Sequence, residues 1–145
     1  MIPYMVLDVY KPYRWNPRIV GRDLTDLTKS HGLIPHVDPA HGPLTTVPWY
    51  SNKLHAEVRR RTFNTKKAED WHYDGDTTPN SKPDCALVVW ATNHPTEIKY
   101  NGTIYTPKPY EVIIFKNMDC THRRPENCPR VRWVFRQRVA VPDFL

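Results

Sequence analysis

The segment EIKYNGTIYTP, from Glu97 to Pro107, is the strongest local structural signal in the sequence. Within it, the pair Asn101-Gly102 separates two runs of alternating apolar and polar residues. A two-residue type I′ turn needs positive φ at both central positions, and Asn followed by Gly meets that requirement well. The segment therefore predicts a tight hairpin, which commits this part of the chain to antiparallel β structure.

Three other segments in the second half of the chain predict strands. CALVVWAT, at residues 85–92, is a continuous apolar run of strand length, and EVIIFKN follows at residues 111–117. RVRWVFRQRV, at residues 130–139, alternates instead, so its side chains fall on two faces. One face carries Val131, Trp133, Phe135 and Gln137, and the other carries Arg132, Val134, Arg136 and Arg138.

The arginine-bearing face of that last strand has a chemical requirement. Arginine side chains that point into a small barrel need anions to pair with them. The opposite face, with Trp133 and Phe135, can pack against the core or an outer helix. We therefore expect an anionic ligand inside the barrel, and a bound carboxylate is the natural candidate.

The beginning of the chain predicts one short strand and one short helix. MVLDVY, close to the N-terminus, has the composition of a strand. GRDLTDLTKSHG, at residues 21–32, predicts a helix because Leu24 and Leu27 fall on one face. Asp23 is suited to cap the start of this helix, and Gly32 fits just past its end.

A second helix is predicted after a proline-rich loop at residues 34–48. SNKLHAEVRRR, at residues 51–61, offers Ser51 as N-cap, with Leu54 and Val58 on one face. In this interpretation the three arginines at residues 59–61 form a solvated helix end.

These patterns together predict a mainly β protein of the α+β class, a jelly roll or barrel with short helices packed outside. The length of 145 residues is that of one domain, and no repeat, low-complexity tract or linker divides it. We therefore predict a single domain over residues 1–145.

The net charge of +6 favours anionic partners such as nucleic acid or acidic metabolites, although solubility alone explains it almost as well. No apolar run is long enough for a transmembrane helix, and the N-terminal residues do not resemble a secretory signal. The three cysteines, Cys85, Cys120 and Cys128, are an odd number, which is typical of reduced thiols. We expect a cytoplasmic protein.

The stretch WHYDGDTTP contains a His-x-Asp pair, His72 and Asp74, just before the predicted strands. Residues i and i+2 of an extended segment point the same way, so both side chains can reach one metal ion. His122, between the strand at residues 111–117 and the arginine-bearing strand, supplies a third ligand. Two His and one carboxylate are the ligand set of iron oxygenases, which leave the remaining metal positions open.

On these residues the block from Trp71 to Val139 resembles the 2-oxoglutarate- and Fe(II)-dependent dioxygenase superfamily. That family is built on a double-stranded β-helix, a form of jelly roll. Its pattern is His-x-Asp, then a distant His, then an Arg or Lys about ten residues further on. Here the pattern is held by His72, Asp74, His122 and Arg132.

The resemblance implies an enzyme in which residues 71–139 are the core and residues 1–70 an N-terminal support. Fe(II) is then held by His72, Asp74 and His122, and 2-oxoglutarate by Arg132, whose planar guanidinium suits a carboxylate. It implies hydroxylation of a C–H bond with release of succinate and CO₂, with ascorbate as reductant in vitro. Arg136 and Thr92 are further candidates for contact with 2-oxoglutarate.

Other interpretations stay open at this point. A second His-x-Asp pair, His36 and Asp38, lies in the proline-rich loop beside His41, and Asp76 could replace Asp74 as the carboxylate ligand. Cys120, His122 and Cys128, together with Cys85, could instead bind zinc.

The alternative function is a non-catalytic basic β-barrel that binds nucleic acid or protein, with a structural zinc or no metal. If the chain is an enzyme, Arg123 and Arg124 lie beside His122 and are placed to meet an anionic substrate. The short chain has little room for a lid, so a homo-oligomer that completes the site is also open.

Overall fold

Two antiparallel sheets and one helix make up the regular structure of the part of the chain that is described. The computed structural model describes residues 2–37, 46–61, 66–75, 83–129 and 131–145. The elements are β1 (Tyr4–Val9), α1 (Pro17–Ser30), β2 (Trp49–Ser51), β3 (Ala56–Arg61), β4 (Ala86–Ala91), β5 (Glu97–Tyr100), β6 (Thr103–Tyr105), β7 (Glu111–Lys116), β8 (Thr121–Arg123) and β9 (Arg132–Val139).

The main sheet has the order β1-β7-β4-β9-β3-β2, and the smaller sheet has the order β6-β5-β8. From β4 onward the chain alternates between the two sheets: β4, β7 and β9 lie in the main sheet, and β5, β6 and β8 in the smaller one. This alternation is the winding of a double-stranded β-helix, so the predicted mainly β jelly roll is confirmed.

Every strand predicted in the second half of the chain is present. The hairpin between β5 and β6 turns at Asn101 and Gly102, whose φ angles are +49° and +78°, as a type I′ turn requires. β4 is buried along its whole length, in agreement with its continuous apolar sequence.

Helix α1 covers the outer face of the main sheet, where it buries Val20 and Leu24 against Val58, Trp90 and Phe135. The outer face is the face of the main sheet that is turned away from the smaller sheet, and the face turned toward it is the inner face. A Cβ atom on residue 21 would lie only 2.5 Å from the Trp49 ring, so α1 packs more closely than any residue except Gly would permit.

The start of α1 differs from the prediction. Asn16, not Asp23, is the N-cap, and its side chain accepts hydrogen bonds from the amides of Arg18 (2.9 Å) and Ile19 (3.3 Å). Pro17 follows at the first helical position, where its fixed φ favours a helix. Asp23 lies inside the helix and accepts a hydrogen bond from the Tyr10 hydroxyl. The end of α1 lies where the Gly signal predicts it.

The predicted second helix at residues 51–61 is wrong, because the segment forms the end of β2, a turn and β3. Ser51 does act as a cap, but its hydroxyl accepts the Leu54 amide within a single turn, and His55 then adopts a positive φ of 48°. Ala56 and Val58 lie in the core beneath α1, whereas the buried Glu57 between them faces the other side of the main sheet. This two-residue alternation is that of a strand, and it fits the pairing with β9. The arginines at residues 59–61 therefore lie on a strand rather than at a helix end.

Within the described residues, no helix combines the length and the apolar character needed to cross a membrane.

Candidate metal centre

The three predicted ligands converge at the edge of the smaller sheet. His72 pairs with β8 through two main-chain hydrogen bonds, from the His72 amide to the His122 carbonyl (3.2 Å) and from the His122 amide to the His72 carbonyl (2.9 Å). Asp74 follows two residues later in the extended segment. One ligand atom from each of the three side chains lies within 4.8 Å of the other two.

The two histidine rings are oriented as metal ligands need to be. The His72 Nδ1 atom is 2.8 Å from the Asp70 carbonyl oxygen, so Nδ1 donates its proton there and Nε2 keeps a free lone pair. Neither ring nitrogen of the buried His122 has a hydrogen-bond partner in the described residues. His122 Nε2 lies 3.1 Å from Asp74 Oδ1 without the alignment of a hydrogen bond, as two atoms that share a cation would lie.

The negative charge of the buried Asp74 is balanced by a network of ion pairs. The Arg136 guanidinium donates to Asp74 Oδ1 (2.7 Å) and to Glu57 Oε1 (2.9 Å), and Arg59 donates to the same Glu57 oxygen (3.0 Å). Burial alone would raise the pKa of Asp74, but the charge of Arg136 and the contact with His122 outweigh it and hold that pKa well below its usual range. Asp74 is therefore an anion at neutral pH.

Burial lowers the pKa of His122, because the charged ring would lose its hydration, and the proximity of Arg136 acts in the same direction against the opposing effect of Asp74. The neutral imidazole is the form that binds metals. The protonation states of His122 and Asp74 thus both suit a bound divalent cation.

The main chain of Asp74 is fixed by Asn117, which is fully buried at the end of β7. The Asn117 side-chain oxygen accepts the Asp74 amide (2.9 Å), and its side-chain nitrogen donates to the Asp74 carbonyl (2.8 Å) and to the Pro83 carbonyl (3.1 Å). One amide side chain therefore gives the loop the two hydrogen bonds that a neighbouring strand would supply.

A cavity of about 200 Å³ opens beside His72 and His122, between the two sheets. Arg132 is buried in its wall and donates to the His94 carbonyl and to the Thr96 hydroxyl (3.0 Å). The structure thus brings Arg132 and Arg136 to the same cavity as the candidate ligands, on the face of β9 that the alternation predicts.

The cavity wall is rich in cations. It includes five arginines and two glutamates: Arg59, Arg123, Arg124, Arg132, Arg136, Glu57 and Glu69. Arg123 pairs with Glu97 (2.8 Å) and lies 4.3 Å from the centre of the Trp71 ring, and the Arg124 amide donates to Glu69 (2.9 Å).

Thr92 is not brought to this cavity. Its hydroxyl accepts the Trp133 amide (3.0 Å), and it borders a groove on the outer face of the main sheet. Thr96, which touches Arg132, is the threonine of the cavity wall. The sequence interpretation also missed Glu57, Asn117 and Asp70, because their importance depends on contacts between distant parts of the chain.

The cysteine site is not assembled. Cys85, Cys120 and Cys128 are buried free thiols, and the one metal-competent cluster found among the described residues contains no cysteine. Cys85 and Cys120 pack instead in the apolar part between the sheets, and burial raises the pKa of each to about 11. His36 is not part of the cluster, and its amide donates to the Arg138 carbonyl, while Asp38, His41 and Asp76 lie outside the described residues.

Comparisons with known proteins give weak structural likenesses only. No protein-family model matches the sequence, and no curated protein matches it. A structure of CytC3 with Fe(II) and alpha-ketoglutarate aligns over 60% of this chain and 42% of its own, with 19% identity and a TM-score of 0.40. A truncated viral collagen prolyl hydroxylase from Paramecium Bursaria Chlorella virus-1 aligns over 92% of this chain and 75% of its own, with 15% identity and a TM-score of 0.44.

The chain thus spans less than half the length of CytC3, and at these scores neither likeness assigns it to a family. Its chemistry has to be inferred from its own residues.

Proposed function

We propose that this protein is an Fe(II)- and 2-oxoglutarate-dependent oxygenase that hydroxylates a C–H bond. The observation that carries the proposal is the convergence of His72, Asp74 and His122 beside a cavity that contains the buried cation Arg132. Two His and one carboxylate fit Fe(II) and leave its other positions to ligands from the cavity.

The donor atoms present fit such an ion. His72 and His122 each offer a ring nitrogen that no group among the described residues engages with an aligned hydrogen bond, and Asp74 offers a carboxylate that stays ionised. When bound, the iron and 2-oxoglutarate together supply the oxidising chemistry that consumes O₂ and releases succinate and CO₂. Arg136 and Asn117 keep the Asp74 carboxylate in place.

Arg132 is the group that we assign to 2-oxoglutarate. Its contacts with the His94 carbonyl and Thr96 fix the plane of the guanidinium, and a fixed planar donor suits one carboxylate better than a flexible lysine would. A cavity of about 200 Å³ has the volume of roughly seven waters, which is sufficient for a small dicarboxylate.

The substrate that we propose is anionic. Arg59, Arg123 and Arg124 line the same cavity as Arg132 and Arg136. These five cations outnumber the four carboxylates around them, which are Glu57, Glu69, Asp74 and Glu97. The positive potential of such a cleft attracts anions from solution.

The test is an anaerobic titration with Fe(II) and 2-oxoglutarate, read by the weak visible metal-to-ligand charge-transfer band. We expect His72→Ala to abolish the band, and Arg132→Ala to weaken 2-oxoglutarate binding while Fe(II) still binds. The matched control is His36→Ala, which alters the other His-x-Asp pair and should retain the band.

If the wild-type protein gives neither the band nor a 2-oxoglutarate-dependent thermal shift, the proposal is wrong. Stoichiometric zinc with no response to 2-oxoglutarate would favour the alternative, a non-catalytic binding module with a structural metal.

A further inference from the structure

An aromatic groove lies on the outer face of the main sheet, on the opposite side of β3 and β9 from the metal centre. The groove has a volume of about 390 Å³, and its walls include Trp15, Tyr110, Trp133 and Arg60. The Trp15 ring centre is 5.5 Å from that of Trp133 and 6.5 Å from that of Tyr110, with both ring pairs tilted. Neither the metal centre nor the proposed 2-oxoglutarate site uses this groove.

The segment between β1 and α1 presents its aromatic side chains from a fixed backbone. Its first residue, Tyr10, accepts a hydrogen bond from the Trp90 indole (2.9 Å), and its last residue, Asn16, caps α1. Between these anchors, Trp15 is 51% exposed and Tyr13 is 94% exposed. The Trp15 ring is half exposed and rests against Trp133 and Tyr110, so it can bind a flat partner at little further cost in conformational entropy.

Cations flank the other two rings of the groove, Trp133 and Tyr110. Arg60 pairs in register with Trp133, and its guanidinium lies 5.8 Å from that ring centre, while the Lys11 ammonium lies 5.6 Å from the centre of Tyr110. Residues 11–22 contain no carboxylate and four exposed cations, which are Lys11, Arg14, Arg18 and Arg22.

We propose that the aromatic groove binds single-stranded nucleic acid, with a base stacked on Trp15 and phosphates on Lys11, Arg14 and Arg60. Proteins that bind single strands combine aromatic platforms with cations that follow the backbone. A proline-rich peptide would use the rings without the cations, and a polyanion without bases would use the cations without the rings. Nucleic acid uses both features.

The groove and the cavity lie back to back across the main sheet, because successive side chains of a strand point to opposite faces. Arg59 and Arg132 point to the cavity on the inner face, whereas their chain neighbours Arg60 and Trp133 point to the groove. The groove and the arginine-lined cavity are therefore on opposite faces of the same end of the main sheet.

The experiment measures binding of fluorescein-labelled oligothymidylate by fluorescence anisotropy across a range of salt concentrations. EDTA is present, so that the result does not depend on the metal centre. We expect Trp15→Ala to weaken binding about tenfold, and Trp15→Phe to restore most of it because phenylalanine still stacks. Arg60→Ala should lower the slope of log affinity against log salt by about 0.7, the contribution of one phosphate contact.

Two control variants should bind as the wild type does. Phe144→Ala removes an aromatic ring that is 49% exposed, close to the 51% of Trp15, but lies in another groove. Lys53→Ala removes an exposed cation from the turn at the opposite end of β3. If Trp15→Ala fails to fold, Arg14→Ala and Arg60→Ala still test the proposal, because each should lower the slope of log affinity against log salt.

Unchanged affinity in the groove variants, or no binding by the wild type, would overturn the proposal. Competition by polyphosphate as effective as that by oligothymidylate would also overturn it, as would preferential binding of a proline-rich peptide. Because His72→Ala should bind oligothymidylate normally, failure of this proposal is distinguishable from failure of the proposed oxygenase function.

Discussion

The two faces of β9 carry opposite chemistry on neighbouring residues. On the outer face, Trp133 and Phe135 are buried in the apolar core beneath α1. On the inner face, Arg132 and Arg136 are held by individual polar partners around the cavity. Apolar burial is non-directional and tolerates changes of detail, whereas a buried charge needs one specific partner in one specific place. Beneath α1 the outer face therefore supplies stability, whereas the inner face supplies the candidate metal centre.

Phe135→Ala would give the largest loss of stability. Phe135 is fully buried, and its removal leaves a cavity, so we expect the free energy of unfolding to fall by about 3–5 kcal/mol in urea denaturation. The variant that remains folded should bind Fe(II) as the wild type does. Val131→Ala, at an exposed position of the same segment, should change stability by less than about 0.5 kcal/mol. Equal effects of the two substitutions would contradict the assignment of the core to this face.

Arg136→Ala tests the inner face. The change leaves Asp74 and Glu57 buried without their shared cation, and since the Arg136 side chain is 30% exposed we expect a loss of about 2–3 kcal/mol, less than for a fully buried pair. Fe(II) affinity should fall as well, unlike in Phe135→Ala, because Asp74 loses its fixed position. Arg59→Ala, which removes only the more exposed partner of Glu57, should cost less than about 1 kcal/mol. Full Fe(II) affinity in Arg136→Ala would separate the charged network from the metal centre.

Asn117→Ala sharpens the comparison, because Asn117 is a buried polar residue that contacts only main chain around the metal centre. Its loss leaves the Asp74 amide and carbonyl unpaired, so we expect about 1–3 kcal/mol of destabilisation and weaker Fe(II) binding. Asn117→Asp can still accept the Asp74 amide but cannot donate to the carbonyls, and should be intermediate in metal affinity. Unchanged Fe(II) affinity in both variants would limit Asn117 to a structural function.

Acidification should weaken the inner face selectively in the metal-free protein. Because burial lowers the pKa of His122, the unfolded chain binds a proton that the folded one refuses, and the free energy of unfolding falls as pH drops below about 6.5. Asp74, whose pKa is also lowered in the folded state, adds a second loss as pH falls through the ordinary carboxyl value of about 3.8. Urea unfolding in EDTA at a series of pH values measures both steps.

His122→Gln, which does not titrate, should lose the upper of these two steps and keep the lower one. A wild-type stability that increased below pH 6.5 would contradict the assigned direction.

Local sequence patterns predicted the strands and the turn of the second half of the chain. The features that they did not predict depend on contacts between residues distant in sequence. The alternation of β9 separates the charged face from the apolar one, and Asn101-Gly102 alone determines its turn. The segment at residues 51–61 was wrongly predicted as a helix because Leu54 and Val58 have helical spacing. Ala56 and Val58 are instead paired into the main sheet by β9, which is distant in the chain. Asn117 gives no local signal, since its partners become neighbours only when the sheets have formed.

The pairing of His72 with β8 has a consequence for the order of folding. His72 and Asp74 are joined to the sheets by one isolated bridge to β8, by the Asn117 side chain and by the ion pair with Arg136. All of these partners are distant in sequence. Contacts that close such long loops form late, because the entropy of loop closure must be overcome before they contribute. We expect the amides of His72 and Asp74 to exchange with deuterium sooner than those of β4 in the metal-free protein, and to slow when the ion binds. Binding of the ion would then stabilise the last part of the fold to form. The supply of iron would in that case determine how long each newly made chain survives proteolysis.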